Sequence, residues 1–357
     1  MSDTATTTEN ATPVADENLL EVRGLKKYFP IEKGFLRRHT GDVKAVDDVS
    51  LHIKKGETLG LVGESGCGKT TLGRCIVRAL TPTVGEIHYR LPDNSLVDLA
   101  QLERNDLRRI RRHFNMIFQD PYSSLDPRMT VLDIIGEPIK YNNIASKSET
   151  VEIVKNLMKT VGLDIRHLKR YPHAFSGGQR QRIGIARALA PNPQLLVCDE
   201  AVSALDVSIQ AQILNLLQDL QKEFALTFLF IAHDLSVVEH ISDRVAVMYV
   251  GQMVEMSDTE GLYISPKHPY TEALLSAVPK TDPKVKMDRI ILEGEIANPA
   301  NPPSGCYFHP RCRYAQDVCK TKAPEWREIE PGHFAACHFA DELTLKGVED
   351  EIPSVQN

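Results

Sequence analysis

A nine-residue run, Gly63-Glu64-Ser65-Gly66-Cys67-Gly68-Lys69-Thr70-Thr71, constrains this 357-residue chain more than any other feature. It follows the apolar stretch Glu57-Thr-Leu-Gly-Leu-Val62, which reads as a buried strand, and it opens a predicted helix. Glycines at these spacings let the backbone wrap a phosphate chain with its N–H groups, at the positive end of the following helix. Lys69 is then placed on the β- and γ-phosphates and the Thr70 hydroxyl on Mg²⁺. A glycine turn matching by chance lacks this strand–loop–helix setting. The run therefore predicts nucleotide binding on an α/β scaffold.

Other segments agree with that scaffold. Leu195-Leu-Val-Cys-Asp199 and Leu226-Thr-Phe-Leu-Phe-Ile-Ala232 are continuous apolar runs. Such runs fit parallel strands covered on both faces better than half-exposed ones. Between them Ile209, Ile213, Leu216, Leu217, Leu220 and Phe224 recur at spacings of three and four, one face of an amphipathic helix. Strands alternating with helices give an α/β core. From about Asp120 to Ala190 no buried-strand run appears. Ser146 and Glu149 form a capping box there before a helix carrying Val151, Val154, Leu157, Met158 and Val161, ended by Gly162. This segment reads as a helical insertion.

Asp199 and Glu200 close the second buried strand at its C-terminal edge, where open α/β sheets bind ligands. Asp199 suits Mg²⁺ coordination, and Glu200 suits activation of the attacking water. An acidic strand end alone is often only a solvated loop. Beside a phosphate loop it gains chemical meaning.

The domain pattern is a flexible tail over 1–18, a nucleotide-binding unit over 19–256, a proline-punctuated linker and helix over 257–300, a four-cysteine module over 301–340 and an acidic tail over 341–357. With about 150 residues per domain, the length fits two domains. The net charge of −6 argues against a globally basic nucleic-acid-binding surface. Every apolar run falls short of the roughly 20 residues of a membrane span. The first 18 residues lack the apolar core of a secretory signal. The chain is expected to stay where it is made and to reach a membrane only through a partner.

Four of the seven cysteines, Cys306, Cys312, Cys319 and Cys337, crowd into 32 residues. In a reducing compartment such a cluster reads first as a metal site rather than as disulfides. Four thiolates can hold zinc or ligate an iron–sulfur cluster, and the paired Cys-x2-Cys hooks of common zinc ribbons are missing. The bland alternative is four unrelated buried thiols. His309, His333 and His338 lie nearby as substitute ligands, though solvated loop histidines are the plainer reading.

Further segments carry a specific resemblance. Phe175-Ser176-Gly177-Gly178-Gln179 resembles the signature of ATP-binding-cassette ATPases, in which leucine is common at the first position. Ser176 stands 107 residues after Lys69 and Gln179 stands 20 before Asp199, in the family's order. Gln119 resembles the Q-loop glutamine, Ser203-Ala-Leu-Asp206 the D-loop and His233 the switch histidine. Gln119-Asp-Pro-Tyr-Ser-Ser-Leu-Asp-Pro-Arg128, Arg170-Tyr-Pro-His-Ala-Phe-Ser176, Val202 to Gln212, His268-Pro-Tyr-Thr-Glu-Ala-Leu275 and Asn301-Pro-Pro-Ser-Gly-Cys306 are similar to the ATPases of oligopeptide and dipeptide importers, and to their F-type subunit in particular. The likeness runs from about residue 19 to about 340. One departure is Ala201, where the family usually has proline; it puts the stiffness of the turn beyond Glu200 in doubt.

The resemblance implies a RecA-like parallel-sheet core with a helical subdomain and a small Cys-rich extension. It also implies ATP hydrolysis energising peptide import, with related importers carrying nickel, murein peptides or haem instead. Two cassettes close head to tail, so that each ATP lies between one chain's residues 63–71 and the other's Ser176 to Gln179. Glu200 serves as base, His233 steadies the γ-phosphate, and Gln119, Thr70 and Asp199 attend Mg²⁺. Phe29, with Tyr28 competing, stacks on adenine. A C-terminal extension matching this one holds a four-iron four-sulfur cluster in the family, which favours Cys306, Cys312, Cys319 and Cys337 as its ligands, with zinc as the alternative. The implied partners are a second cassette ATPase, two permease subunits and, indirectly, an extracytoplasmic peptide-binding protein, with the chain peripheral on the cytoplasmic face. A soluble cassette ATPase acting on DNA or ribosomes is disfavoured, since neither a second cassette nor sustained heptads are present.

Overall fold

A computed structural model describes residues 17–33, 38–278 and 289–348. Residues 1–16 of the tail expected over 1–18, part of the linker (279–288) and the end of the acidic tail (349–357) lie outside the described residues. In chain order the elements are β1 (Asn18–Lys33), β2 (Arg38–Lys54), β3 (Thr58–Val62), α1 (Lys69–Ile76), β4 (Val84–Arg90), β5 (Leu96–Asp98), α2 (Arg104–Ile110) and β6 (Phe114–Ile117). Then come α3 (Val131–Tyr141), α4 (Lys147–Thr160), α5 (Gly177–Leu189), β7 (Leu195–Asp199), α6 (Val207–Phe224), β8 (Thr227–Ile231), α7 (Leu235–Ile241), β9 (Arg244–Tyr249) and β10 (Gln252–Asp258). Last are α8 (Thr259–Ile264), α9 (Pro269–Leu275), α10 (Asp317–Thr321), β11 (Arg327–Glu330) and β12 (His333–Ala335).

Two sheets form the body. One has the order β2-β1-β4-β5 and is antiparallel, and the other runs β11-β12-β10-β9-β3-β8-β7-β6. In the second, β9, β3, β8, β7 and β6 are parallel. Every residue of β3, β7 and β8 is buried, which explains their continuous apolar spelling. Alternation divides these side chains between two cores. Leu59, Leu61, Leu195, Val197, Leu229 and Ile231 pack toward α1 and the antiparallel sheet. Leu196, Cys198, Phe228 and Phe230 pack toward α5, α6 and α7.

Helices α3, α4 and α5 pack on one another with no strand among them. The capping box at Ser146 is formed, with the Glu149 N–H donating to Ser146 Oγ and Glu149 Oε2 accepting from the Ser146 N–H at 2.8 Å. Two boundaries differ from the sequence-based expectation. The cassette's first strand already begins at the buried Asn18, inside the expected tail. The cysteine-rich segment is also not a separate appendage, because β12 pairs antiparallel with β10 and extends the central sheet at its edge. At three and four residues, β12 and β11 are too short to carry a visible alternation.

Candidate nucleotide site and the four-cysteine cavity

The nucleotide site grows from the C-terminal ends of the parallel strands. Past β3 the chain turns at Gly63, whose φ of +149° and close approach to the Met248 carbonyl leave no room for a side chain. Gly68 caps α1 at φ +111°, with a Cβ there meeting the Ala45 carbonyl at 2.0 Å. The loop therefore packs tightly against β2 and β9 just before the start of α1. One cavity is lined by Ser65, Gly66, Gly68, Lys69, Thr70 and Thr71 together with Ala45, Gln119, Glu200 and His233.

Lys69 is buried and folded over the loop, its Nζ donating to the carbonyls of Gly63 at 2.7 Å and Glu64 at 3.1 Å. The Thr70 hydroxyl donates to Asp199 Oδ1 at 2.7 Å, bringing together oxygen donors of the kind Mg²⁺ takes. Burial raises the Asp199 carboxyl above the usual range, opposed by the Thr70 hydrogen bond and by Arg74. Gln119 Nε2 donates to Glu200 Oε2 at 2.8 Å, and His233 Nδ1 stands 3.3 Å from the same oxygen. Two residues from the ends of two parallel strands thus converge on the carboxylate at the end of a third.

Glu200 sits at φ +46°, a conformation costing of order 1–3 kcal/mol in a residue with a side chain. The turn is nevertheless braced. The Glu200 N–H donates to the Ile231 carbonyl, the Glu200 carbonyl accepts from the Ser203 N–H and Oγ, and Ala201 is buried.

Ser176, Gly177, Gly178 and Gln179 do not line this cavity. They form the N-terminus of α5, where Ser176 and Gln179 make a reciprocal capping box. On β1 the Tyr28 hydroxyl donates to Asp47, whereas the Phe29 ring is exposed with the Lys27 Nζ 5.0 Å above it. Neither ring lines the phosphate cavity. Sequence reading had no signal for Ala45 or for two ties on Glu64. Its carboxylate receives both arms of Arg311, at 2.7 and 3.0 Å, and its N–H donates to the Tyr270 hydroxyl at 2.8 Å.

Cys306, Cys312, Cys319 and Cys337 line a second, small cavity with His268, Phe308 and Phe339. Burial pushes the thiols of Cys306, Cys312 and Cys337 up to about 11. Among the described residues, no three His, Cys, Asp or Glu side chains stand close enough to hold one metal ion. His309 and His338 also line this cavity, each with one ring nitrogen on a backbone carbonyl. His333 is buried against Glu255 Oε1 at 2.7 Å, which corrects its reading as a solvated loop residue. His309 meets the Cys306 carbonyl and His338 the Lys322 carbonyl.

Comparison with known proteins decides the family. Residues 46–203 match the ABC transporter family, and residues 254–319 match the oligopeptide/dipeptide transporter C-terminal region. The oligopeptide transport ATP-binding protein AppF of Bacillus subtilis (strain 168) is 54% identical over 92% of this chain and 99% of its own length. The chain belongs to the ABC transporter ATPases. The probable peptide ABC transporter ATP-binding protein y4tS of Sinorhizobium fredii is 51% identical, over 90% of this chain and 89% of its own. Among solved structures, the cassette MJ0796, in a dimeric post-hydrolysis state bound to ADP and Pi, superposes with a TM-score of 0.59. It is 28% identical and covers 67% of this chain and 98% of its own. As a member of this family the chain is an ATPase, and no helix among the described residues is long and apolar enough to cross a membrane.

Proposed function

We propose that this chain is the ATP-hydrolysing subunit that energises peptide import through a membrane permease. The observation that carries this reading is the conjunction of one cavity uniting the glycine loop, Gln119, Glu200 and His233 with a C-terminal region matched to peptide transporters. Backbone N–H groups of residues 63–71 and Lys69 hold the phosphates, and Thr70, Gln119 and Asp199 hold Mg²⁺, which when bound offsets phosphate charge. Glu200 takes the proton of the attacking water, with Gln119 and His233 fixing the orientation of its carboxylate. Of the two β1 aromatics, exposure favours Phe29 over Tyr28 for stacking on adenine.

Ser176 to Gln179 lie away from their own chain's cavity, which fits a signature that serves the cavity of a second cassette. A partner cassette ATPase in a heterodimer, two permease subunits and an extracytoplasmic peptide-binding protein complete the assembly, with this chain peripheral on the cytoplasmic face. A groove lined by Phe114, Met116, Phe118, Pro138 and Tyr141, beside the Gln119 loop and against α3, suits the permease contact. Motion of that loop would couple hydrolysis to the permease.

The four-cysteine cavity gathers all four thiols beside His268, His309 and His338, each with a ring nitrogen that already meets a backbone group, which supports a four-iron four-sulfur cluster held by Cys306, Cys312, Cys319 and Cys337. Zinc is the alternative occupant of the same four thiols. The group would serve as a structural clamp.

The test of the transporter reading is a mild-detergent pull-down of tagged chain from its own membranes, read by mass spectrometry. Two polytopic permeases and a second cassette ATPase should co-purify. Recovery only with ribosomes or DNA would overturn the importer.

A further inference from the structure

The phosphate loop is held partly from outside the sequence that builds it. Glu64, its second residue, spends its carboxylate on both arms of Arg311, a residue 247 positions away. Arg311 lies in the short turn between Cys306 and Cys312, and its side chain is 7% exposed. The Tyr270 hydroxyl accepts the Glu64 N–H, and Phe308 packs against both Tyr270 and Tyr249 with ring centroids 5.3 Å apart. A second tie runs in parallel, from the Tyr307 hydroxyl to Asp47 of β2 at 3.1 Å. The turn that carries two of the four cysteines is therefore tied to the loop at Glu64 and to the neighbouring strand β2 at Asp47.

The charges give this contact a purpose. A loop that receives a polyanion carries one lysine, Lys69, and one carboxylate, Glu64. Left unpaired, that carboxylate would repel the incoming phosphates and would be free to turn toward Lys69. A guanidinium fork removes both problems, because two parallel hydrogen bonds neutralise the carboxylate and fix its direction. We propose that Arg311 is a positioning residue for ATP, which sets the phosphate loop by clamping Glu64 and so makes nucleotide affinity depend on the four-cysteine module. The proposal rests on residues 63–71 being the phosphate cradle, and a Lys69→Ala control separates the two claims.

The experiment is a double-mutant cycle on the full chain. MgATP affinity is measured by titration calorimetry on the purified protein, and KM and kcat in the assembled transporter. Arg311→Ala is expected to raise KM and Kd about tenfold, the usual scale for losing a hydrogen-bonded charge, with kcat changed less than about twofold. In a Glu64→Gln background, where no charge remains to be clamped, the same substitution should raise KM less than about twofold. Arg311→Lys keeps the charge without the fork and should give about a two- to threefold rise in the native background only.

An equal rise in both backgrounds would mean that Arg311 merely stabilises its own module, and it would overturn the proposal. So would an unchanged KM, or a loss confined to kcat. If Arg311→Ala does not fold, Arg311→Lys carries the cycle with the same criterion. ATP binding by Lys69→Ala at the native affinity would instead remove the cradle reading itself.

Discussion

Glu200 and His233 stand where water reaches them, their positions set by hydrogen bonds from strand ends, while the four thiols of the C-terminal segment face one another across a space closed by Phe308 and Phe339. Both regions are built from loops, yet they use them differently. The first aims polar groups outward at a substrate that arrives and leaves. The second keeps its thiols partly or wholly buried, and those of Cys306, Cys312 and Cys337 stay protonated well above neutral pH. On the proposed function the contrast is between a site of hydrolysis and a module that holds a shape, and the Arg311–Glu64 pair joins them. Such a division predicts that damage to the first region should appear in kcat, and damage to the second in stability and KM.

The largest expected effect tests the first region. Glu200→Gln keeps the size of the side chain and its contacts with Gln119 and His233 but cannot accept a proton. Hydrolysis should fall by about 10²- to 10³-fold while ATP affinity stays within a few-fold. Phosphate-release assays beside nucleotide titrations read both, and turnover near the parent rate would remove Glu200 from the role.

The next test addresses the second region. After anaerobic purification the chain should contain iron and acid-labile sulfide in equal amounts, and Cys319→Ser should remove both. The same variant should lower the melting temperature by about 2 °C or more, roughly the effect of 1–2 kcal/mol in a chain of this size. Its kcat should stay within about threefold of the parent, with KM rising as the Arg311 turn loosens. A collapse of kcat as deep as that of Glu200→Gln would erase the distinction between the two regions. One zinc per chain without sulfide would sink the cluster.

The two regions were not equally legible. Gly63 to Thr71, Asp199, Glu200 and His233 each sit where a buried apolar run ends, so a local pattern announces both the strand and the group at its tip. The capping boxes at Ser146 and Ser176 are local in the same sense. By contrast, β12 has three residues and finds its partner β10 far back in the chain, and no spacing rule foretells that pairing. The fork between Arg311 and Glu64 is equally non-local. His333 looked like a loop histidine because its partner, the buried Glu255, lies 78 positions away. What short-range periodicity encodes was readable, and what tertiary closure brings together was not.

The smallest effect sharpens the same comparison, through a thiol that has no site. Cys75 in α1 is fully buried behind the phosphate loop, and burial raises its pKa to about 11 against 9.0 for a free thiol, with Lys27 and Arg78 pulling the other way. Between pH 9 and 11 the unfolded chain gives up this proton and the folded chain keeps it. The folded state then binds more protons, and stability falls as pH rises, by about 1.4 kcal/mol per pH unit from this group at most. The contribution is intact below pH 9 and lost through 11. Cys75→Ala should therefore flatten the alkaline limb of urea-unfolding stability, after a constant offset of about 1 kcal/mol for the small cavity. Parallel pH curves for the two proteins would show that the thiol is not shielded as its packing implies. It would then belong with exposed, reactive cysteines rather than with the apolar filling of the core.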